Sequence, residues 1–335
     1  MPKRKNADTK QRLLRFLADG QFHSGEELGR ALDVSRAAIW KASQYIHELG
    51  LPLESITGRG YRIREGIELL EQERIQAQLS VHNQKQLDHL YIADEVDSTN
   101  HCLLSQCRKL DNQRAAVLAE RQTEGRGRRG KEWVSPFGRN IYLSMLVPIN
   151  KDPSQLTGLS PAIAISICKT LNELGIYGTS VKWPNDILYN YKKLAGILIE
   201  MQAQAHDYCQ VVIGIGLNLD LSQGFQNNIN QNVADVKTIT GAKPERNKIA
   251  GSLLNNLLNT IEQFSIEGLT PFLTDWQKLD SYNQKQIRLI QGDKEWIGKN
   301  CGITEKGELV LVQADGDVNK FVCGEVSLRA LETQN

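Results

Sequence analysis

Apolar positions in the first sixty residues recur at helical spacing. Leu13, Leu14, Phe16 and Leu17 predict a short amphipathic helix that stops near Gly20. Ser24 stands three residues before Glu27, a capping-box pattern that would satisfy two orphan amides of a second helix through Leu28 and Leu32. Ser35 predicts the cap of a third helix, in which Ile39, Ala42, Ile46 and Leu49 make one buried stripe and Gly50 ends the run. Two β-like runs follow, 51–56 and 61–64, joined by Thr57-Gly58-Arg59-Gly60. Two helices, a turn, a third helix and a hairpin form the layout of a winged helix-turn-helix.

Beyond residue 64 helical and strand signals alternate. Ser160-Pro161 predicts the start of a helix over 162–174, with cap and first-turn proline in favoured places. Strand-like runs cover 140–147, 194–200 and 211–219. A long amphipathic helix follows Pro244, striped by Ile249, Leu253, Leu254, Leu257, Leu258, Ile261 and Phe264. The βαβ rhythm is weak, so a mixed or mostly antiparallel sheet is expected. The last stretch reads as short strands over 285–290, 294–298, 309–313 and 319–323, punctuated by glycine turns. The fold class is therefore α+β and multidomain: a winged helix-turn-helix over 1–64, a mixed-sheet α/β domain over 65–278 and a small β-barrel over 279–335.

Charge sharpens this division. The chain carries a net +1, yet residues 1–64 hold 12 Lys and Arg against 7 Asp and Glu, a balance of +5, while the remainder is at −4. An anionic partner is expected for the first unit only. Ser35, Arg36, Trp40, Lys41 and Gln44 lie on or beside the outer face of the third helix, and Arg59 at the hairpin tip can reach a phosphate or the minor groove. They are the candidate DNA-binding residues. A charged outer face also suits a small bundle that contacts other proteins, so both readings stand at this point. The six cysteines form no CxxC pair and the six histidines no HxxxH or HExxH spacing, so free thiols and no protein-only metal site are expected. No run is long enough to span a bilayer, and the N-terminus has no apolar stretch behind its charges; a cytoplasmic protein is expected.

Two segments break local rules without a packing reason. GRGRRGK at 125–131 puts four cations within six residues among alternating glycines. Such charges repel one another unless an anion sits between them, and the glycines let backbone approach a ligand. Neither the P-loop spacing nor a dinucleotide fingerprint is present; a general basic loop is the plain alternative. The second segment is KWPND at 182–186 followed by KLAGI at 193–197, where Lys193 leads an apolar strand and an unpaired cation would be costly. A turn plus a strand-edge lysine is its plain reading.

Together, GRGRRGKEW, KWPNDI and KKLAGILIE, preceded by Asp97-Ser98-Thr99-Asn100, resemble the biotin–protein ligases, and the N-terminal unit resembles the bifunctional type that also represses the biotin operon. The resemblance runs from SRAAIWK near 35 to GEVSLR near 324. It implies a biotin/lipoate-ligase-like catalytic domain and an SH3-like C-terminal barrel. The substrates would be biotin and ATP with Mg2+, and the partners a biotin carboxyl carrier protein and operator DNA, with a homodimer when adenylate is bound. Biotin's carboxylate would attack the α-phosphate, giving biotinyl-5′-AMP and pyrophosphate, and an acceptor lysine would then attack the mixed anhydride, taking the biotinyl group and releasing AMP. The carboxylate is already ionised at pH 7, so the reaction needs fixed positive charge rather than a base.

By motif match, Lys193, Arg126 and Arg128 are the catalytic residues. Ser98, Thr99, Asn100, Gln122, Gly125, Gly127, Trp133 and Gly196 would hold biotin or its adenylate. Arg129, Lys182, Asn185, Asp186, Gly214, Gly216 and Asn218 would position nucleotide and acceptor, with the two β-strand glycines giving ribose or adenine a bare backbone and Asn218 pinning that strand.

This chain departs from the family pattern at Arg121 and Glu124, and the segment 223–236, where an adenine loop is expected, matches poorly. Trp40 offers few hydrogen bonds to base edges. A lipoate ligase, a repressor that does not transfer biotin and a ligase whose N-terminal unit no longer binds DNA are the competing readings.

Overall fold

A computed structural model describes residues 2–205, 208–221, 229, 231–322 and 326–330. The first group of elements is α1 (Pro2–Leu17), α2 (Gly25–Leu32), α3 (Arg36–Glu48) and an antiparallel hairpin of β1 (Leu53–Ile56) and β2 (Gly60–Ile63). Ser24 and Ser35 cap their helices by accepting the amides of Glu27 and Ala38. The reciprocal half of the expected capping box is replaced: the Glu27 carboxylate pairs instead with Nδ1 of His23, 3.0 Å away. The stripe Ile39, Ala42, Ile46 and Leu49 is buried against Leu13, Leu14, Leu17, Leu28 and Ile63. One residue from far along the chain, Phe137, enters this core.

The central elements are α4 (Gln72–Gln76), α5 (Val81–Gln86), β3 (His89–Val96), α6 (Thr99–Gln106), β4 (Ala115–Gln122), β5 (Ile141–Ile149), α7 (Leu159–Glu173), β6 (Thr179–Lys182), β7 (Asp186–Tyr189), β8 (Lys192–Ala205), β9 (Tyr208–Leu217), α8 (Val236–Thr240), α9 (Arg246–Glu267) and α10 (Leu273–Leu279). Seven strands make one sheet in the order β3-β4-β5-β9-β8-β7-β6. Only β3 and β4 run parallel, because α6 crosses between them; every other pair is antiparallel. Alternate residues of β4 serve opposite faces. Ala116 and Leu118 join the core with α7 and α9, whereas Ala115 and Val117 pack with Leu103 and Cys107 near α6. Burial on both faces explains the apolar runs at 115–119 and 211–217.

Helix α7 begins earlier than its sequence signals indicate. Gly158, not Ser160, is the cap residue. The Ser160 hydroxyl donates to the carbonyl of Pro184, 2.9 Å away, so a tertiary bond to the KWPND turn takes the side chain that local pattern assigned to capping.

The C-terminal strands β10 (Gln286–Gln291), β11 (Lys294–Ile303), β12 (Leu309–Val312), β13 (Val318–Phe321) and β14 (Val326–Ala330) form a second, antiparallel sheet in the order β13-β12-β11-β10-β14. The fifth strand adds to the four expected; its alternation of Val326, Leu328 and Ala330 covers only five residues, and it is fixed by pairing with β10. Nor is this sheet an island. Ile287, Leu289, Leu309, Leu311 and Leu328 belong to the same buried cluster as the central sheet. Trp183 donates from Nε1 to the carbonyl of Gly307 at 3.1 Å, so the KWPND turn is clamped between the two sheets.

The thiols of Cys102, Cys107, Cys168, Cys209 and Cys301 are free. Burial pushes Cys168 up to about 12, which makes it packing rather than a nucleophile. No described helix is long and apolar enough to cross a membrane.

Candidate active site and DNA-binding face

The sheet gathers distant segments into one cleft, lined by Ser98, Thr99 and Asn100 at the start of α6, Gln122 at the end of β4, and Arg126, Gly127, Arg128 and Trp133 from the basic loop. Asn185 joins from the β6–β7 turn, Lys193 and Gly196 from β8, and Gly214 and Gly216 from β9. Asp186 adjoins through its ion pair with Lys193. Arg129 and Lys182 fall outside this cleft, in a neighbouring recess shared with Arg128, Asn185 and Asp186. Gly125 is buried beneath the loop; a Cβ there would stand 2.4 Å from the Trp133 carbonyl oxygen.

The floor is a connected polar network. The amide and hydroxyl of Thr99 donate to Oε1 of Gln122 at 2.9 and 3.1 Å, and Nε2 of Gln122 donates to Ser135 at 3.2 Å. The Ser144 hydroxyl lies 2.7 Å from Oγ1 of Thr99 and 2.6 Å from Oδ1 of Asn100, and Nδ2 of Asn100 donates to Glu200 at 2.7 Å. Ser98, Thr99, Asn100 and Ser144 are all buried. Mutually bonded side chains of this kind hold fixed orientations, which suits recognition of a small polar ring.

The cations meet along one side. Nζ of Lys193 is 2.7 Å from Oδ1 of Asp186 and 5.3 Å from the centre of the Trp133 ring. Arg128 donates to Oδ1 of Asn185 at 3.1 Å, and Asn185 in turn donates to the Ile197 carbonyl at 2.8 Å. Arg126 lies 3.6 Å from Glu200. The register of β7 against β8 slips by one residue beside Lys193, a bulge of the sort that re-aims a side chain. Its backbone is pinned on both sides: the Lys193 amide donates to Asn232 and its carbonyl accepts from Ala234. Asn218 strengthens that clamp, donating from Nδ2 to the carbonyls of Lys193 and Ala234 at 3.3 and 3.2 Å.

The strand glycines make room for protein side chains. A Cβ on Gly214 would stand 2.2 Å from Oδ1 of Asn100, and one on Gly216 2.3 Å from Cε2 of Trp133. In place of the expected bare surface for ribose or adenine, the backbone here is covered by Asn100 and by the indole, which also lies 3.0 Å from the Cβ position of Gly196. The Trp133 Nε1 is buried without a hydrogen-bond partner.

On the winged helix, Ser35 is spent as the α3 cap, while Arg36, Lys41, Gln44 and Trp40 (61 % exposed) present an open outer face. Arg59 at the hairpin tip lies over Phe22, 4.2 Å from the ring centre, with Arg62 at 4.3 Å from the same ring. Arg62 and Arg64 also pair with Glu54.

Residues 92–218 match the model of the biotin/lipoate A/B protein ligase family, and residues 9–62 match an HTH domain. The chain is 41 % identical over 320 residues to the bifunctional ligase/repressor BirA of Salmonella typhimurium, covering 96 % of this chain and 97 % of that protein. It is 39 % identical over 321 residues to BirA of Escherichia coli, with the same coverage. The chain belongs to the bifunctional biotin ligase/repressor family. Among solved structures, the biotin protein ligase of Aquifex aeolicus in complex with biotin and ATP aligns at a TM-score of 0.61 and 26 % identity, covering 73 % of this chain and all (100 %) of that one.

In this ligase/repressor Ser135, Ser144 and Glu200 join the site beyond the residues expected from the sequence. Ser144 interrupts the apolar run of β5 and Glu200 follows the apolar run of β8; polar residues at such positions are the signal that was available. The segment 223–228, with residue 230, lies outside the described residues.

Proposed function

We propose that this ligase/repressor activates biotin in the cleft over β8 and β9 and hands it to a lysine of a biotin carboxyl carrier protein. The observation that carries this reading is Lys193 standing between a buried polar floor and a basic loop, its charge met by Asp186 at 2.7 Å. The floor formed by Thr99, Asn100 and Gln122 suits the ureido ring, and the Trp133 indole the apolar bicycle. ATP would enter beside Trp133 and Lys193, in the recess that Lys131, Asn218 and Val233 line. Lys193, Arg126 and Arg128 then compensate two anions brought into contact, carboxylate and α-phosphate. Asp186 would loosen from Lys193 as the substrates take its place and would face the incoming acceptor amine; Asn185 keeps Arg128 over the cleft.

Mg2+ belongs to this reading as the companion of the nucleotide, where it would shield phosphate charge. Asp186 and Glu200 are each paired with a cation, and of the described acidic side chains only Glu132 lines the nucleotide recess, which supports delivery of the ion on ATP rather than in a protein cage. The winged helix would bind operator DNA through α3 and the β1–β2 hairpin, as a homodimer when the adenylate is held. The C-terminal sheet would close as an SH3-like barrel supporting the KWPND turn. Incubation with MgATP, either biotin or lipoate, and a carrier domain tests the reading: a mass gain on the carrier with biotin alone is expected. A gain with lipoate alone, or with neither acid, would overturn it.

A further inference from the structure

The outer face of α3 is built from positions 36, 37, 40, 41 and 44, which helical spacing brings onto one side, and all five residues are exposed. The opposite side, with Ile39, Ala42, Ser43 and Ile46, is buried. No acidic residue stands anywhere from Arg36 to Gln44. Arg36, Lys41 and Gln44 suit an anionic, hydrogen-bonding surface, and Ala37 leaves room for close approach. Trp40 does not follow that pattern: its indole is 61 % exposed, whereas the other four tryptophans of the chain are buried or half-buried. An apolar ring set amid cations matches a partner that is apolar at one point and anionic around it. The core of a protein interface fits poorly, because such cores are depleted of lysine, and the excess of positive charge on residues 1–64 extends to Arg59 on the hairpin.

We infer that Trp40 is a specificity-determining residue that reads the 5-methyl group of a thymine in the major groove of the operator. An indole has one donor, Nε1–H, and no acceptor. Every base pair offers acceptors in the major groove, so that N–H discriminates little. The thymine methyl is the apolar group that marks out its own pair, and an apolar ring answers it by excluding water. Helical side chains lean toward the N-terminus, which sets the indole over the turn of Arg36 and Ala37, the end of a recognition helix that meets base edges. Arg36 and Lys41 then supply the charge that holds the ring against the groove. This inference rests on the reading of the first unit as the operator-binding domain and adds to it the chemical group that is read.

The test starts from a pool of randomised duplexes from which the full chain, with biotin and MgATP, selects its tightest sequences. Each thymine of the winning duplex is then replaced singly by deoxyuridine, which removes the methyl group and nothing else. For the wild type, one thymine of a half-site should be fixed by the selection, and its replacement should weaken binding about four-fold, the scale of one buried methyl group. Trp40→Ala should bind the thymine and deoxyuridine duplexes equally. Trp40→Phe should keep the difference, because the ring and not the N–H makes the contact. The indole lies outside the core of the winged helix, so both variants should melt as the wild type does. A wild type indifferent to deoxyuridine at every position, or a Trp40→Ala protein that still suffers the same loss, would overturn the inference alone. So would a Trp40→Ala protein that selects the same sequences and differs from the wild type only in self-association. Failure of the wild type to select any sequence would instead remove the underlying reading of the first unit, and this inference with it.

Discussion

Trp133 and Gly216 are in contact so close that a methyl group on the glycine would sit 2.3 Å from Cε2 of the indole. The glycine is therefore a fitting surface for the ring, and the ring's position on β9 is set by the absence of a side chain. Gly216→Ala should displace the indole and lower kcat/KM for biotin by about 10- to 100-fold, the scale of cost for a misplaced binding group. The melting temperature should shift little, since the indole can move toward solvent. Steady-state adenylation kinetics check this; an unchanged kcat/KM would remove Trp133 from substrate binding.

Arg128 is held over the cleft by Asn185 at 3.1 Å. Arg128→Gly removes both the cation and that tether, in a loop already rich in glycine. The adenylate should then escape before transfer. Bystander lysines on an unrelated protein added to the reaction should become biotinylated, measurably more than with the wild type. Equal bystander labelling would count against the loop as a cover.

Much of this was legible in the chain. The winged helix could be read because its stripe, caps and turn glycines all agree, from Ile39 to Gly60. The cleft could be read because GRGRRG and the Lys193 of KLAGI are costly in isolation: repelling cations and a lysine leading an apolar strand call for a partner. What escaped reading depends on strand neighbours far apart in sequence. Ser144 meets Asn100 only because α6 packs across β5, and Ser160 leaves its expected capping role because Pro184 is folded over it. The contact of Phe137 with the first core has no local signature at all, since an aromatic residue after a proline fits any buried loop.

His23 sets a pH dependence in the winged helix. Its ring packs edge-on against Phe16, and its nitrogens face Asp19 at 2.9 Å and Glu27 at 3.0 Å. Burial alone lowers its pKa, but the hydrogen bonds and charges of Glu27 and Asp19 outweigh it, so the imidazole titrates above its ordinary 6.5. A raised folded pKa gives stability that is complete below the unfolded value and is lost as pH rises through the folded one. Calorimetric unfolding should show a component that weakens as pH rises above the ordinary 6.5 of an imidazole, and His23→Gln should flatten that decline. A variant with the same slope as the wild type would exclude His23 as its source.

Arg59 is expected at a phosphate or in the minor groove, its guanidinium held by Phe22. Arg59→Ala should weaken operator binding and reduce the slope of log affinity against log salt by about 0.9, the value for one lost phosphate contact. Ligation of the carrier should be unaffected. Gel shifts at several salt concentrations, with biotin and MgATP present, measure it; an unchanged slope would place Arg59 away from the backbone.

The central claim is that fixed cations, Lys193 first among them, compensate the meeting of a carboxylate with a phosphate. The most direct measurement is pyrophosphate release by purified protein given biotin and MgATP. The wild type should release it only when biotin is present, and Lys193→Ala should be slower by about 100- to 1,000-fold, the cost of losing one preorganised electrostatic donor. Release independent of biotin, or an undiminished rate in Lys193→Ala, would contradict the account.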